Sequence, residues 1–450
     1  MHTPFRNAAL RVASVAMLAA GLGACSGGLF GGGGDKNDTP TIGTRVPILS
    51  RIESGAVVDP SLAGISVVLP PAQGNPAWPQ AGGTASKSYG HLSLAAAPAK
   101  AWSAQIAGSS NRRRLAASPV VGGGMVYAAD TSGEVHAFNT QSGSKVWTQR
   151  MEVDGGLASA AFGGGASFDN GRVYATNGVG EVTALNANDG TQVWKVKPAG
   201  PLRGSPTVAF NSVFVMTQDN QIHALSASTG APVWNETGSI SQAGVFGVAA
   251  PAAGQGTVIA GYSSGELVAY RYENGRTLWS DALARTSIST QVGSLTDIDA
   301  DPIIDQGRVY ALGQGGRMAA YELVTGQRIW ELNVAGISTP AIAGEWIFVL
   351  TDDARLLAIA RSTGKIRWIT QLARYRDEED KDGPIFWTGP VLAGGNLWVA
   401  NTEGGLYQIS TGEGSASKFA DLGAPVSLAP VVADSTLYVL DDSGTIHAYR

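Results

Sequence analysis

The chain has 450 residues, of which 60 are glycine and 15% are charged, and its formal net charge at pH 7 is -5. This composition is typical of an ordered, turn-rich protein rather than a disordered chain. A mildly acidic chain has no overall basic field, so we expect no nucleic-acid partner.

The N-terminus has the pattern of a bacterial export signal. Two arginines precede an apolar run over residues 12–22, which is too short to span a bilayer as a mature helix. The run ends in Leu-Gly-Ala-Cys, which resembles the lipobox, where cleavage before the cysteine leaves its thiol to be lipidated. Cys25 is the only cysteine, and lipidation explains an unpaired thiol in an exported protein better than a chance cysteine does. We predict a signal peptide over residues 1–24 and a lipid on Cys25, and Ser26 after it implies the outer membrane.

The segment that follows is rich in Gly, Pro, Ala and Ser. It includes four glycines at 31–34 and the pair Pro70-Pro71. The run GGGGDKND lacks the Gly-Lys-Ser/Thr ending of a phosphate-binding loop. Because this composition is typical of linkers with extended stretches, we predict that residues 25–95 are the lipidated cysteine and a flexible tether.

From residue 116 onward one pattern returns six times. An alanine and an apolar residue are followed, after four residues, by a glycine and then, after three more, by a tryptophan. Internal repeats of about 40 to 50 residues are typical of propellers or solenoids. The six copies span residues 137–147, 184–194, 224–234, 269–279, 320–330 and 358–368.

Each repeat predicts four short strands. Three apolar alternating runs separated by turns occur in each unit, as over residues 125–149, and a further run comes before them. That first run usually starts at a small residue or an aspartate followed by proline, as at Ser118-Pro119 and Asp301-Pro302, and a proline there costs no ladder bond. Nothing in this region has the length and period of a helix, so each unit reads as a propeller blade.

The two ends of the repeat region predict how the ring closes. The last unit stops at Arg450 one strand short, whereas Trp102 lies in a strand that has no preceding strands of its own. We predict that this N-terminal strand completes the last blade, which removes the exposed edges of an open sheet. With a degenerate unit at 414–419, the sequence predicts an all-β, eight-bladed propeller of four-stranded antiparallel blades over residues 96–450.

The repeated tryptophan is expected to be structural. Its large side chain can be buried between neighbouring blades while its N–H finds an acceptor. A ligand contact would be needed once, not in every unit. The structural tryptophans are Trp102, Trp147, Trp194, Trp234, Trp279, Trp330 and Trp368.

Three local patterns resemble metal-binding or catalytic motifs, but their position in the repeat or their missing residues argue against such a site. His136, His223 and His447 share one repeat position in different blades, so we expect no joint metal site. Residues 261–265, GYSSG, match G-x-S-x-G but align with hairpin turns instead of the strand-to-helix elbow that this motif requires.

The third pattern is LTDIDADP at 295–302. A calcium loop that begins at Asp297 would need glycine at its sixth position and glutamate at its twelfth, where the chain has Pro302 and Arg308. A paired-carboxylate hydrolase site has no partner that the sequence can place. We therefore expect no catalytic residue, no metal and no cofactor.

The repeat unit resembles the tryptophan-docking repeat of pyrroloquinoline-quinone dehydrogenases and, equally, that of non-enzymatic lipoproteins. The single cysteine excludes the vicinal disulfide common in the alcohol-oxidising members, and there is no haem-type C-x-x-C-H. With its lipobox, eight units and two particular loops, the chain over residues 96–450 resembles the BamB family. These are propeller lipoproteins of the machinery that inserts β-barrels into the bacterial outer membrane.

That resemblance implies two partner-binding loops. In the family, a Leu-Arg-Gly loop followed by proline and a Leu-x-Asp-x-Asp loop before a strand proline contact the POTRA domains of the barrel-inserting subunit. The first matches Leu202 and Arg203; the second matches Leu295, Asp297 and Asp299. Family members often have a further leucine two residues before the first loop's Leu, where this chain has Gly200.

Strand direction supports this reading. Both loops lie between the last strand of one blade and the first strand of the next, so they should be displayed on the same face, where an arginine and two carboxylates can make charge-assisted hydrogen bonds. An adjacent leucine would add an apolar contact. The alternative is that the acids are solvated turn residues that cap their own loop. On the same face, Arg112–Arg114 could contact a partner or anionic lipid. Residues 374–384 are expected to form a charged loop exposed to solvent.

The sequence thus predicts a non-catalytic scaffold lipoprotein on the periplasmic side of the outer membrane. By resemblance, its partner is the barrel-inserting subunit, and it assists insertion of nascent outer-membrane proteins, directly or through that subunit. The alternative is a quinone-dependent oxidoreductase or a quinone-binding sensor.

Overall fold

The computed structural model describes residues 56–153, 156–239, 249–283 and 297–450. Within these ranges the chain forms eight four-stranded antiparallel sheets, and its helical elements are two 3₁₀ turns, Pro60–Leu62 and Leu157–Ala160. None of the helices in these ranges has the length and apolar character needed to cross a bilayer. The predicted eight-bladed propeller is confirmed.

Seven of the eight blades consist of four consecutive strands, and the first strands of neighbouring blades contact one another around the axis. Blade 1 contains β2 (Val120–Gly122), β3 (Met125–Ala129), β4 (Glu134–Asn139) and β5 (Lys145–Arg150), and blade 2 contains β6 (Ala166–Asp169), β7 (Arg172–Thr176), β8 (Val182–Asn186) and β9 (Gln192–Val196). Blade 3 contains β10 (Leu202–Ala209), β11 (Ser212–Thr217), β12 (Gln221–Ser226) and β13 (Pro232–Thr237), and blade 4 contains β14 (Ala252–Gly254), β15 (Thr257–Gly261), β16 (Glu266–Arg271) and β17 (Thr277–Ala282).

The remaining blades follow the same order. Blade 5 contains β18 (Ile303–Asp305), β19 (Arg308–Gly313), β20 (Arg317–Glu322) and β21 (Arg328–Leu332), and blade 6 contains β22 (Ala341–Ala343), β23 (Trp346–Leu350), β24 (Arg355–Ala360) and β25 (Ile366–Gln371). A small hairpin, β26 (Tyr375–Asp377) and β27 (Asp382–Pro384), precedes blade 7, which contains β28 (Trp387–Ala393), β29 (Asn396–Asn401), β30 (Gly405–Ser410) and β31 (Ala416–Asp421). Blade 8 contains β32 (Val431–Ala433), β33 (Thr436–Leu440), β34 (Thr445–Tyr449) and, as its outer strand, β1 (Lys100–Gln105).

The ring closes as the sequence predicts. In β1, Lys100 pairs with Tyr449 and Gln105 pairs with Thr445, both in antiparallel register. Beyond the strands, Ala99 and Arg450 exchange two backbone hydrogen bonds of 2.6 and 2.9 Å. The N-terminal strand therefore supplies the fourth strand of the last blade.

The repeated residues hold each blade against the next. The Trp279 indole N–H of blade 4 donates to the carbonyl of Leu323 in blade 5 at 2.8 Å. The motif glycine of blade 5, Gly326, has a φ of +71°, and a Cβ there would come within 2.6 Å of the Trp279 ring. The motif alanine pairs with the tryptophan of its own blade, as Ala320 pairs with Trp330. Glycine therefore lets the next blade's turn lie flat on the indole, which explains the motif's fixed spacing.

Residues 56–94, which we call the strap, differ from the predicted tether. The strap runs under the propeller and bonds to the first strands of successive blades instead of remaining free. Trp78 pairs with Val121 of blade 1 through two 2.8 Å backbone bonds, and Leu92 bridges to Ala393 of blade 7. Both strap residues are buried, so this part of the predicted tether is corrected.

The middle of the strap crosses three further blades. Backbone N–H groups at the inner strands donate to strap carbonyls: Phe168 of blade 2 to Pro79, Ala253 of blade 4 to Ala85, and Ile304 of blade 5 to Ser86, all at 2.7 to 2.8 Å. These strands would otherwise present unpaired backbone groups at the axis. The strap thereby forms the floor of the central channel.

Candidate functional site

The described inter-blade connections lie on one side of the ring, which we call the loop face. Each blade has four antiparallel strands, so its last strand ends on the side where the next blade's first strand begins. The strap contacts the opposite ends of the first strands, and we call that side the strap face. Leu202 and Arg203 lie at the start of β10, and Asp297 and Asp299 precede β18, so these residues lie at the loop-face ends of blades 3 and 5.

The structure brings three of the candidate side chains together. Arg203, in β10, donates through one guanidinium nitrogen to Asp297 at 3.0 Å and to Asp299 at 3.1 Å. These three residues form what we call the charge cluster. It joins the start of blade 3 to the loop that leads into blade 5, across a sequence separation of more than 90 residues.

Burial of the charge cluster corrects the expectation that these charges are displayed. Arg203 is 2% exposed, Asp297 is 1% exposed and Asp299 is 8% exposed, while the neighbouring Leu202 is 2% exposed. The Arg203 guanidinium forms hydrogen bonds and ion pairs with carboxylates of its own chain. The cluster therefore ties the start of β10 to the loop that leads into blade 5, beneath the loop face.

Burial changes the proton affinity of the cluster. The pKa of Asp299 is raised from 3.8 to about 7, first by burial and then by the neighbouring Asp297, and these two effects outweigh the opposing field of Arg203. The Oδ2 atom of Asp297 has no hydrogen-bond partner in the described part of the chain. Two carboxyl groups beside one guanidinium thus favour retention of a proton.

The raised pKa of Asp299 predicts that stability depends on pH. The folded protein holds this proton more tightly than the unfolded chain, so the contribution is complete below pH 3.8 and is lost as the pH rises through about 7. Replacing Asp299 by Asn should flatten the fall in the free energy of unfolding between pH 5 and pH 8, measured by urea unfolding.

Asp352→Asn is the matched comparison for this measurement. Desolvation and the neighbouring Asp353 raise the pKa of Asp352 to about 6 although the residue is exposed at the surface, so this group contributes with the same sign, over a lower pH range and more weakly. Removing Asp352 should flatten the slope below pH 6 more than above it. If Asp299→Asn retained the full slope between pH 6 and pH 8, the assignment of this proton to the charge cluster would be wrong.

A central pocket of about 420 Å³ opens on the loop face beside the charge cluster. The strap supplies its floor through Trp78, Gly82 and Tyr89, and mainly apolar side chains line its walls. At its mouth, Phe386 is 65% exposed and Ile337 is 51% exposed. The pocket is therefore closed by the strap at its floor and has an apolar rim.

A buried lysine lies under this pocket. Lys87 of the strap is 1% exposed, and its Nζ donates to the carbonyl of Ala81 at 2.9 Å and to Thr207 of blade 3 at 3.1 Å. Burial lowers its pKa to about 8, against the field of Asp301, whose own pKa burial raises. Asp301, predicted only to start a strand, also accepts the Ala250 N–H at 2.7 Å. Sequence reasoning missed this pair because its members are far apart in the chain.

The repeat-position histidines contact side chains of their own blades. His136 lies 2.8 Å from Asp130, with Glu134 at 4.0 Å, and these three groups are close enough to hold a cation. However, Asp130 also accepts the backbone N–H groups of Ser132 and Glu134, which closes the hairpin turn. The same Asp–His contact recurs at 2.8 Å in blade 8, where the third residue is a threonine. Recurrence favours a structural role in the turn.

The remaining candidates fall into three groups. The GYSSG segment forms the turn between β15 and β16, where the Ser263 hydroxyl donates to Asn220 of blade 3 at 2.9 Å. The Arg112–Arg114 run lies in the loop before blade 1 and is largely exposed. Cys25 and Leu295 lie outside the described residues, so their predicted roles remain predictions.

Comparison with known proteins places the chain in a family. The profile described as outer membrane protein assembly factor BamB matches residues 55–155 and 133–370. The BamB protein of Salmonella typhimurium is 30% identical over 356 residues, which cover 78% of this chain and 88% of that protein. The crystal structure of BamB from Moraxella catarrhalis has a TM-score of 0.67 at 21% identity and covers 78% of this chain and 99% of its own.

An enzyme shares the fold as well. Quinohemoprotein alcohol dehydrogenase from Comamonas testosteroni has a TM-score of 0.64 at 17% identity, over 83% of this chain and 80% of that one. Identity this low shows a common fold alone. By its sequence profile and its relatives, the chain belongs to the BamB family of outer membrane protein assembly factors.

Proposed function

We propose that this protein is a lipid-anchored assembly factor that assists insertion of β-barrel proteins into the bacterial outer membrane. The observation that carries the proposal is the match to BamB proteins over most of both chains, 78% of this one and 88% of the relative. Lipidation of Cys25 would hold the propeller at the periplasmic surface of that membrane.

The loop face is the proposed surface for the POTRA domains of the barrel-inserting subunit. The charge cluster supports this by tying the start of blade 3 to the loop that enters blade 5, although its own side chains are buried. Exposed side chains on the same face, such as Phe386 and Ile337, would then make the apolar contacts. Interfaces of this kind depend on a few well-supported apolar residues inside a polar rim.

Catalysis with a bound quinone is not part of this proposal. Pyrroloquinoline quinone carries carboxylates, yet no lysine or arginine is among the described residues that line the central pocket, and Asp299 and Asp301 are. Arg203 and Lys87 lie behind the pocket and bond to groups of this chain, so no described cationic side chain lines the pocket to receive those carboxylates. The residues present therefore do not fit the quinone, and a scaffold function is favoured.

Co-purification from detergent-solubilised membranes tests the proposed interface. The double variant Ile337→Ser with Phe386→Ser should reduce recovery of the barrel-inserting subunit several-fold, because its apolar contacts are lost. Val146→Ser with Val193→Ser, at exposed positions on outer strands near the strap face, is the matched control and should retain recovery.

Two outcomes would contradict the proposal. Unchanged recovery in the Ile337 and Phe386 double variant would remove the loop face as the partner surface. Saturable binding of added quinone and calcium, with dye reduction, would instead support the oxidoreductase alternative.

A further inference from the structure

Exposed apolar side chains are distributed unequally between the two faces. Eleven of the fourteen large apolar side chains that are exposed among the described residues lie on the strap face or at the ends of the outer strands nearest to it. The other three are Leu157, Ile337 and Phe386 on the loop face. Single exposed apolar residues are common, but segregation to one side is typical of an interaction surface.

The strap carries four of these side chains within a short stretch of sequence. Val57 is 69% exposed, Val68 is 71% exposed and Ile65 is 49% exposed, and Val58 beside them is 38% exposed. We call these four residues the strap patch. Their neighbours Val67 and Leu69 pack against the core between blades 6 and 7. The exposed positions therefore alternate with positions that hold the strap in place.

Hydrogen bonds to blade 6 fix the strap patch. The Asp59 N–H donates to the Ile366 carbonyl at 2.8 Å, and the Arg367 guanidinium donates to the Ile65 carbonyl at 2.7 Å. Lys365 forms a 2.9 Å ion pair with Asp59 and remains half exposed. The patch is thus an ordered apolar surface with cationic side chains beside it, a combination that suits an anionic lipid surface.

The position of the strap patch in the chain indicates which surface it would meet. Val57 follows Cys25 by 32 residues, a length that spans at most about 115 Å when fully extended. If Cys25 is lipidated, as the proposed function requires, this tether keeps the patch at a high effective concentration near the bilayer. Weak affinity for lipid would then be sufficient, and a second membrane contact makes a lipid anchor more stable.

We propose that the strap face is a membrane-contact surface and that the strap patch inserts into the headgroup region of the bilayer. The loop face then points away from the membrane, toward the periplasmic partner. The inference rests on the proposed function only for the tether, because the strap patch should bind lipid weakly even without it.

Vesicle flotation of unlipidated protein tests this contact. The protein without its signal peptide and with Cys25→Ala is mixed with vesicles of phosphatidylethanolamine and phosphatidylglycerol. The triple variant Val57→Ser, Ile65→Ser and Val68→Ser should reduce the floated fraction at least threefold, whereas Ile337→Ser with Phe386→Ser should leave it unchanged. Thermal unfolding verifies that each variant is folded.

A second measurement determines the orientation. The Cys25→Ala background contains no cysteine, so Val68→Cys or Phe386→Cys introduces one site for a fluorophore. Spin-labelled lipids should quench the label at position 68 and leave the label at position 386 largely unquenched.

Three results would overturn the inference. They are equal flotation of the triple variant and its parent, equal quenching at the two positions, and a dimer that the triple variant abolishes without any flotation. Failure of Cys25 to incorporate labelled palmitate in cells would contradict the proposed anchor alone, because neither measurement above requires lipidation.

Discussion

Trp78→Ala should lower the free energy of unfolding by about 3–5 kcal/mol, as expected when a buried aromatic side chain is truncated. Trp78 is 4% exposed, packs on Tyr89 with ring centroids 4.7 Å apart, and forms part of the floor of the central pocket. Its loss would leave a cavity where the strap crosses blade 1. Urea unfolding followed by circular dichroism measures the change.

Val57→Ala is the matched control within the strap. This side chain is 69% exposed, so its truncation should change stability by no more than about 0.5 kcal/mol. If Trp78→Ala also cost less than about 1 kcal/mol, the strap would behave as the flexible tether that its composition predicts.

Arg203→Met should destabilise the protein by about 3–5 kcal/mol, because it leaves two buried carboxylates without their cation. Adding Asp297→Asn and Asp299→Asn to this variant should restore much of the loss, since no charge then remains in the charge cluster. Equilibrium unfolding of the single and triple variants at one pH measures the difference.

A comparable but more exposed group provides the control. Arg328 also pairs with two carboxylates, Asp281 and Glu331, but these side chains are 29 to 45% exposed. Solvent screens such pairs, so Arg328→Met should cost less than about 1 kcal/mol. Similar costs for Arg203→Met and Arg328→Met would show that burial does not determine the strength of the charge cluster.

Co-purification of the same variants separates two roles for Arg203. If the cluster only positions the loops, partner recovery should fall in Arg203→Met and return in the stabilised triple variant. Recovery that stays low in the triple variant would mean that charged groups of the cluster themselves contact the partner.

The blades were predictable because the residues that pack one blade against the next recur at a fixed spacing in the sequence. Each motif glycine must lie against the tryptophan of the preceding blade, as Gly326 does against Trp279, so the requirement recurs in every unit. The closing strand was predictable for the same reason, since Trp102 carries the motif without the strands before it. A contact that is repeated in successive units can be recognised from a single sequence.

The strap was not predictable, because its contacts leave little trace in composition. Most of its bonds to the blades use backbone groups, as Ala85 and Ser86 do, and any residue can supply those. Isolated apolar residues such as Trp78 and Leu92 were the available signals within a stretch rich in Gly, Pro and Ser.

The charge cluster was predicted in part. Arg203, Asp297 and Asp299 were selected by resemblance, but their mutual contact spans blade 4, and no local pattern encodes a pairing at that separation. Strand direction predicts which ends of blades 3 and 5 carry these residues, whereas their burial depends on how three blades meet.

Closure of the ring by β1 has a consequence for when the protein can fold. Because Lys100 pairs with Tyr449, the last blade cannot form until almost the whole chain has been synthesised and exported. Contacts this distant in sequence are slow to form because a long loop must first be closed. Until then, the outer edge of β34 in blade 8 and the strand β1 remain unpaired, and the newly exported chain is at its most vulnerable to aggregation and proteolysis.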